Sequence, residues 1–336
     1  MPLLTEQGNE NFPRRAFLAR AAKAGACVSG ACAAAYLLYD SKGPVPASKK
    51  QQLVTLPDFS VPAEPGRSMC IATGPDRKQT FNKAIDSLGG IERFVKTGDT
   101  VLIKPNVAFA TPPMLGATAN PQLVAQVARL CYSRGNAKRV IVTDNSINDP
   151  ASCFQLSGIG TAARQAGAEI LLPKPTLFAH TTLSGGELIR NWPILYGPFE
   201  KVDKVIGITP VKDHHRSGAS MTMKNWYGLL GGRRNIFHQN INTIIAELAM
   251  MVRPTFVVLD GTQVMMTNGP TGGSVSDLRR TNTIIVSTDQ VAADSFGATL
   301  LDLTPSDLPY LRKAQAGGAG TTDYKSLKPV IAEVAG

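Results

Sequence analysis

Short apolar runs alternate with amphipathic stretches along most of the chain. Val101-Leu-Ile-Lys-Pro and Arg139-Val-Ile-Val-Thr-Asp predict buried strands, and Pro121 to Ser133 predicts a helix with Leu123, Val124, Val127 and Leu130 on one face. Leu156 to Ala166 reads as a helix and Glu169-Ile-Leu-Leu as extended chain. The rhythm then recurs, with strands at Lys204-Val-Ile-Gly-Ile-Thr, Thr255-Phe-Val-Val-Leu-Asp and Thr283-Ile-Ile-Val-Ser-Thr-Asp, and helices at Ile241 to Met251 and Val291 to Leu301. Alternating strand and helix patterns predict an α/β fold: a mostly parallel β-sheet flanked by helices. Leu183-Ser-Gly-Gly-Glu and Arg190 to Tyr196 predict a small antiparallel insertion, and the Pro- and Gly-containing region 173–200 is the expected hinge if the domain has two lobes. No unit of 20–50 residues repeats, which excludes a solenoid.

Two N-terminal segments break this rhythm. Adjacent Arg14 and Arg15 precede Phe17-Leu18, and an Ala-rich run from Ala24 to Tyr39 follows. This arrangement over residues 1–40 resembles a twin-arginine translocation signal. It implies passage of the folded chain through the twin-arginine translocase, to a periplasmic or membrane-tethered destination, often with a cofactor already inserted. The run falls short of the roughly 20 apolar residues that span a bilayer. Residues 41–67 carry Pro44, Pro46, Pro57, Pro62 and Pro65 among Ser, Lys and Gln, the composition of a linker. The folded domain is therefore expected over 68–330.

Charge and cysteine content narrow the partners. The net charge is +10, of which residues 1–50 hold +4, and the rest is spread thinly without a basic block longer than Arg233-Arg234 or Arg279-Arg280. Nucleic-acid binding is not expected, since it concentrates charge on one face. Of five cysteines, Cys27 and Cys32 fall in the signal-like segment, leaving Cys70, Cys131 and Cys153, among which one disulfide could form. Without a Cys-x-x-Cys, no iron–sulfur cluster held by this chain alone is expected.

Candidate chemistry gathers at the ends of predicted strands, where open α/β sheets bind ligands. The strands run into Lys104-Pro-Asn106, Asp144-Asn-Ser146, Pro210-Val-Lys212-Asp-His214-His215 and Asp260-Gly261. The densest segment, Pro210 to His238, adds Arg216, Lys224, Asn225, Arg233, Arg234 and His238. Within it, Ser217 to Asn225 reads as a turn entering a helix whose free N–H groups could receive an anion. The resulting picture is a cleft for an anionic small molecule or cofactor. Lys212 and Lys224 neutralise its charge, Lys104, Asn106, Asn225, His238 and Asp144 line it, His214 acts as general acid or base, and Asp260 holds an imidazole or a metal. His214 and His238 with Asp144, Asp260 or Asp289 form a candidate divalent-metal set, although no His-x-x-x-His or His-Glu-x-x-His spacing supports it. Asp289 and Asp294 are alternatively helix caps. Neither a Gly-x-Ser-x-Gly elbow nor a Gly-x-x-x-x-Gly-Lys-Ser/Thr loop is present. Thr267 to Gly273 is a polar loop, either a lid or a surface turn, and Met265-Met266 beside it are expected to pack inward.

From Val101 to Leu303 these residues resemble the domain of unknown function 362 family of bacteria and archaea, some members of which are fused to ferredoxin-type cluster domains. The likeness rests on Lys104-Pro-Asn106, Asp144, Lys212-x-His214, Lys224-Asn225-x-x-Gly228, His238, Asp260-Gly261, Asn268-Gly-Pro270 and Asp289-x-x-Ala292-x-Asp294. Asp213 stands where many members have Thr or Ser, and the cysteine-rich cluster motif is missing. The resemblance implies a shared pocket. Two functions are open: an exported enzyme of undefined reaction acting on an anionic small molecule, or an accessory partner of an exported redox protein.

Overall fold

Consecutive apolar residues in a strand point to opposite faces, so runs such as Val101-Leu102-Ile103 require helices on both sides of a sheet. The computed structural model, which describes residues 14–38, 53–62, 64 and 66–335, shows that arrangement. Its strands are β1 (Met69–Thr73), β2 (Thr100–Pro105), β3 (Arg139–Val142), β4 (Glu169–Ile170), β5 (Phe178–Thr181), β6 (Trp192–Leu195), β7 (Lys204–His214), β8 (Gly218–Ser220), β9 (Phe256–Met265), β10 (Leu278–Ser287) and β11 (Val330–Glu333). Its helices are α1 (Arg14–Leu38), α2 (Arg77–Ser87), α3 (Ile91–Phe94), α4 (Pro121–Ser133), α5 (Pro150–Leu156), α6 (Ile159–Gln165), α7 (Thr222–Asn225), α8 (Ile241–Met251), α9 (Gln290–Thr299) and α10 (Pro309–Ala316).

A nine-stranded sheet runs in the order β11-β1-β10-β9-β7-β2-β3-β4, with β8 paired to β7, and β5 and β6 form a separate antiparallel pair. The pairs β1/β11, β2/β3, β2/β7, β3/β4 and β7/β9 are parallel. The exceptions are β1/β10, β9/β10 and β7/β8. Val101, Ile103, Val140, Ile206 and Phe256 pack on one face with Phe81 and Ile85 of α2 and Leu123 and Val127 of α4. Leu102, Val205, Val257 and Leu259 face the other way, onto α8, α9 and α10. The fold is therefore α/β, with a mostly parallel sheet and a small antiparallel insertion.

Several expectations are revised. The helix predicted over Leu156 to Ala166 is α6, which starts only after Gly158, whose φ of 71° a glycine adopts at no steric cost; Leu156 instead ends α5, a helix that the pattern did not predict. The linker expected over 41–67 is not one over 53–62: Leu56 and Phe59 are buried in the core, Val54 N donates to His180 O at 2.9 Å, and Phe59 N donates to Arg253 O at 3.0 Å. Residues 41–52 lie outside the described residues, as do residues 1–13 and 39–40 of the signal-like segment. Residues 52–336 form one unit, with no division near 173–200. In the other unit, residues 1–51, α1 starts at Arg14, and no described helix is long and apolar enough to cross a membrane. Cys70, Cys131 and Cys153 are buried free thiols, with no disulfide among them.

Candidate functional site

After β2 the chain adds β3 and β4 on one side, whereas β7 and β9 extend the sheet on the other. The carboxyl ends of β2 and β7 thus flank a topological switch point. Lys104 lies near the end of β2 and Lys212 near the end of β7, and both line a cavity of about 500 Å³.

Part of its wall is a closed polar assembly. Lys104 Nζ meets Asp144 Oδ1 at 2.7 Å and donates to Asn225 Oδ1 at 2.7 Å and Pro105 O at 3.1 Å. Asn225 Nδ2 donates to Lys104 O at 3.0 Å, and Asp144 Oδ2 accepts from Val107 N at 2.7 Å. Burial lowers the Lys104 pKa, and the charge of Asp144 opposes that shift. Gly228 seals the assembly, because a Cβ there would overlap Asp144 Oδ1 and come within 2.8 Å of Lys104 Nζ. Lys104, Asp144 and Asn225 therefore use most of their polar capacity on one another.

Lys212 is also held by the protein. Its Nζ donates to Ala117 O at 2.6 Å and Pro270 O at 3.2 Å, reaches Asn106 Oδ1 at 3.5 Å, and sits 5.4 Å from the Phe109 ring centroid. Burial, then the charge of Lys224, pushes its pKa down to about 7, against the pull of Asp144. Lys224 differs. Its Nζ lies 5.2 Å from the Tyr227 ring centroid and has no hydrogen-bond acceptor or carboxylate partner among the described residues. Burial, then Arg234 and Lys104, pushes its pKa down to about 8.

Three imidazoles line the same cavity. The His214 ring stacks 5.1 Å from His215 at an interplanar angle of 6°, and 6.4 Å from His238 at 14°. His214 Nδ1 accepts from Arg216 N at 3.2 Å and Ser217 N at 3.3 Å, which fixes the tautomer protonated on Nε2. Burial and the surrounding cations hold its pKa far below the usual range. His214 thus carries its proton on Nε2, as a hydrogen-bond donor. His238 is the complement. Tyr227 Oη spends its proton on Arg234 O, so His238 Nδ1 donates to Asn235 O and Tyr227 Oη, each at 3.2 Å, and Nε2 keeps its lone pair.

Other expected members lie elsewhere. Asp260 shares the sheet face of Val258, forms an ion pair with Arg77 Nε at 2.8 Å, and accepts from Thr262 Oγ1 at 2.6 Å. Asp289 caps α9 through Ala292 N and also accepts from Thr321 N, both at 2.9 Å. Asp294 accepts from Thr222 N at 2.8 Å and Met223 N at 3.0 Å, so the amides expected to receive an anion at the start of α7 already hold a carboxylate. Among the described residues no group of three or more His, Cys, Asp or Glu is placed to hold a metal; of the candidate ligands, His214, His238 and Asp144 line the cavity, whereas Asp260 and Asp289 are engaged elsewhere.

The Thr267–Gly273 loop is anchored. Asp277 accepts from Asn268 Nδ2 at 2.6 Å and Gly273 N at 3.1 Å, Asp213 accepts from Gly269 N at 3.1 Å, and Gly269, Pro270 and Thr271 line the cavity. Met265 beside it is buried, and Met266 is half-buried. Phe109 and Tyr227, cavity walls that the sequence reading passed over, look like ordinary core aromatics. The second lies inside the Lys224-to-Gly228 motif, which was the available signal.

A thylakoid-associated protein of Synechocystis sp. is 24% identical over 246 residues, covering 71% of this chain and 74% of that one. A solved protein from Thermotoga maritima is 12% identical with a TM-score of 0.36, over 74% of this chain, which spans only 60% of that protein's length. Residues 101–299, which contain both lysine-bearing strands and the His-rich segment, match the family described as a domain of unknown function, DUF362, and the chain belongs to that family.

Proposed function

We propose that the cavity binds an anionic small molecule or cofactor, with Lys224 as its principal electrostatic anchor. One observation carries this reading: Asp144 is the only carboxylate lining the cavity among the described residues and is already paired with Lys104, whereas Lys224 has no counter-charge. Arg216 and Lys212 line the same space and add to the positive field. Lys212, balanced between its two protonation states near pH 7, and His238 Nε2 are the groups suited to moving a proton to or from a bound ligand, which supports an enzymatic role.

The experiment is thermal unfolding of the wild type and of Lys224→Met with inorganic phosphate, pyrophosphate or a dicarboxylate. A rise in Tm in the wild type that is lost in the variant and shrinks with salt is expected. Equal stabilisation of both proteins, or none in the wild type with any of these anions, overturns the reading.

The arginine pair at the start of α1 supports export by the twin-arginine route, to the periplasm or to its membrane face. The thylakoid association of the Synechocystis relative fits a membrane-proximal location. Arg14→Lys with Arg15→Lys is expected to leave the chain in the cytoplasm of an exporting host, and unchanged periplasmic recovery would refute this route.

A further inference from the structure

We propose that Lys224 is a carbonyl-capturing amine, and that the ligand class is an anionic aldehyde or ketone held as an imine on its Nζ. The inference rests on the anion-binding reading above and names the chemistry of its ligand. Three lysines line the cavity. Lys104 is closed off by Asp144, Asn225 and a backbone carbonyl, and Lys212 by two carbonyls and Asn106. Only Lys224 combines a place in the cavity wall with an Nζ not donated to any acceptor among the described residues.

Its surroundings also favour the neutral amine. The Tyr227 ring lies beneath it, and Lys104 and Arg234 place further positive charge nearby. Desolvation and neighbouring cations together are the standard means of activating a lysine nucleophile. With a pKa of about 8, roughly one molecule in ten carries the free amine at pH 7, against about one in three thousand for an ordinary lysine. Protonated Lys224 attracts the anion, and once the free amine captures the carbonyl, the lining cations Lys212, Arg216 and Arg234 remain to face the anionic group.

The step balances without an oxidant or reductant. The Nζ lone pair forms the C–N bond, the C–O bonds of the carbonyl break, and the oxygen leaves as water with the two amine protons. His214 Nε2–H offers a donor on the cavity wall, and His238 Nε2 an acceptor.

The test uses the full chain, pyridoxal phosphate as a probe carrying both an anionic group and an aldehyde, and borohydride, whose hydride reduces the imine carbon and makes the adduct permanent. Peptide mass mapping is expected to show one dominant adduct on Lys224, suppressed by excess inorganic phosphate and absent in Lys224→Arg, which keeps the cation but cannot form the imine. Exposed lysines such as Lys201 are internal controls in the same map. Retention of the phosphate-induced rise in Tm by Lys224→Arg shows that the variant is folded and competent to bind. Phosphate stabilisation with no adduct at Lys224, or with labelling confined to exposed lysines, overturns the imine and leaves anion binding standing. Absence of both stabilisation and adduct removes the two readings together, and an adduct at Lys224 that phosphate neither competes with nor suppresses also ends the inference, because the anion would then have no part in capture.

Discussion

Gly228 and Asp144 come so close that no side chain fits between them: any Cβ at residue 228 would enter the space of Asp144 Oδ1 and press on Lys104 Nζ. The glycine of the Lys224-to-Gly228 motif is therefore a requirement of the buried ion pair.

Gly228→Ala is expected to destabilise the fold by about 2–4 kcal/mol, because the methyl must displace a buried, paired charge. Urea unfolding measures this, and an unchanged midpoint would mean that the pair can move aside without penalty.

The ion pair itself predicts strong coupling. Asp144→Asn or Lys104→Met alone leaves an uncompensated charge in a nearly inaccessible place and is expected to cost about 3–5 kcal/mol, while the double variant should recover a large part of that loss. A double-mutant cycle by chemical denaturation checks this, and additive losses would rule out the pairing.

Lys212 makes stability depend on pH in a defined direction. With its folded pKa near 7 and its unfolded pKa near the ordinary 10.5, the native state binds fewer protons than the unfolded chain between those values, so its contribution to stability rises with pH there. The stability difference between wild type and Lys212→Met is expected to shift in favour of the wild type between pH 7 and pH 10. Anion affinity should move the other way, weakening as pH rises past about 8 and Lys224 loses its charge. Paired urea titrations and anion-binding curves at these pH values read both trends.

Phe59 anchors a segment that its prolines disguise. It is 5% exposed, packs 6.0 Å from the Phe199 ring centroid, and its carbonyl accepts from Thr255 Oγ1 at 2.9 Å. Phe59→Ala is expected to cost about 3–5 kcal/mol. A chain beginning at residue 68 should unfold at a lower temperature than one beginning at residue 53, as calorimetry would show.

The legible parts of the fold were those with local causes. α4 carries an apolar stripe, Asn120 as its N-cap and Pro121 in its first turn, and its predicted span is its observed one. β10 was foreshortened because its first half, with Arg279, Arg280 and Asn282, is polar and gains its strand geometry from pairing with β9. In the site, Lys104, Asp144, Lys212 and Lys224 could be picked out as chemically capable, but the distinction between a lysine tied down by carbonyls and one left open depends on contacts from Ala117, Pro270 and Asn225, distant in sequence. Asp260 shows the remaining difficulty. It ends an apolar run much as Asp144 does, yet shares a face with Val258, turned toward Arg77. Both have the parity of the apolar residues before them, Val142 and Val258; what separates them is that Asp260 stays inside β9, whereas β3 ends at Val142 and Asp144 lies beyond the strand.

Asp144, in the cavity wall, spends its charge on Lys104. The hollow answers the charge of Lys104 and of neither Lys212 nor Lys224, so under the proposed reading a visitor brings the missing negative charge with it. On that reading, neutral or cationic look-alikes of equal shape are refused on charge alone, and between visits water and mobile salt stand in for the anion.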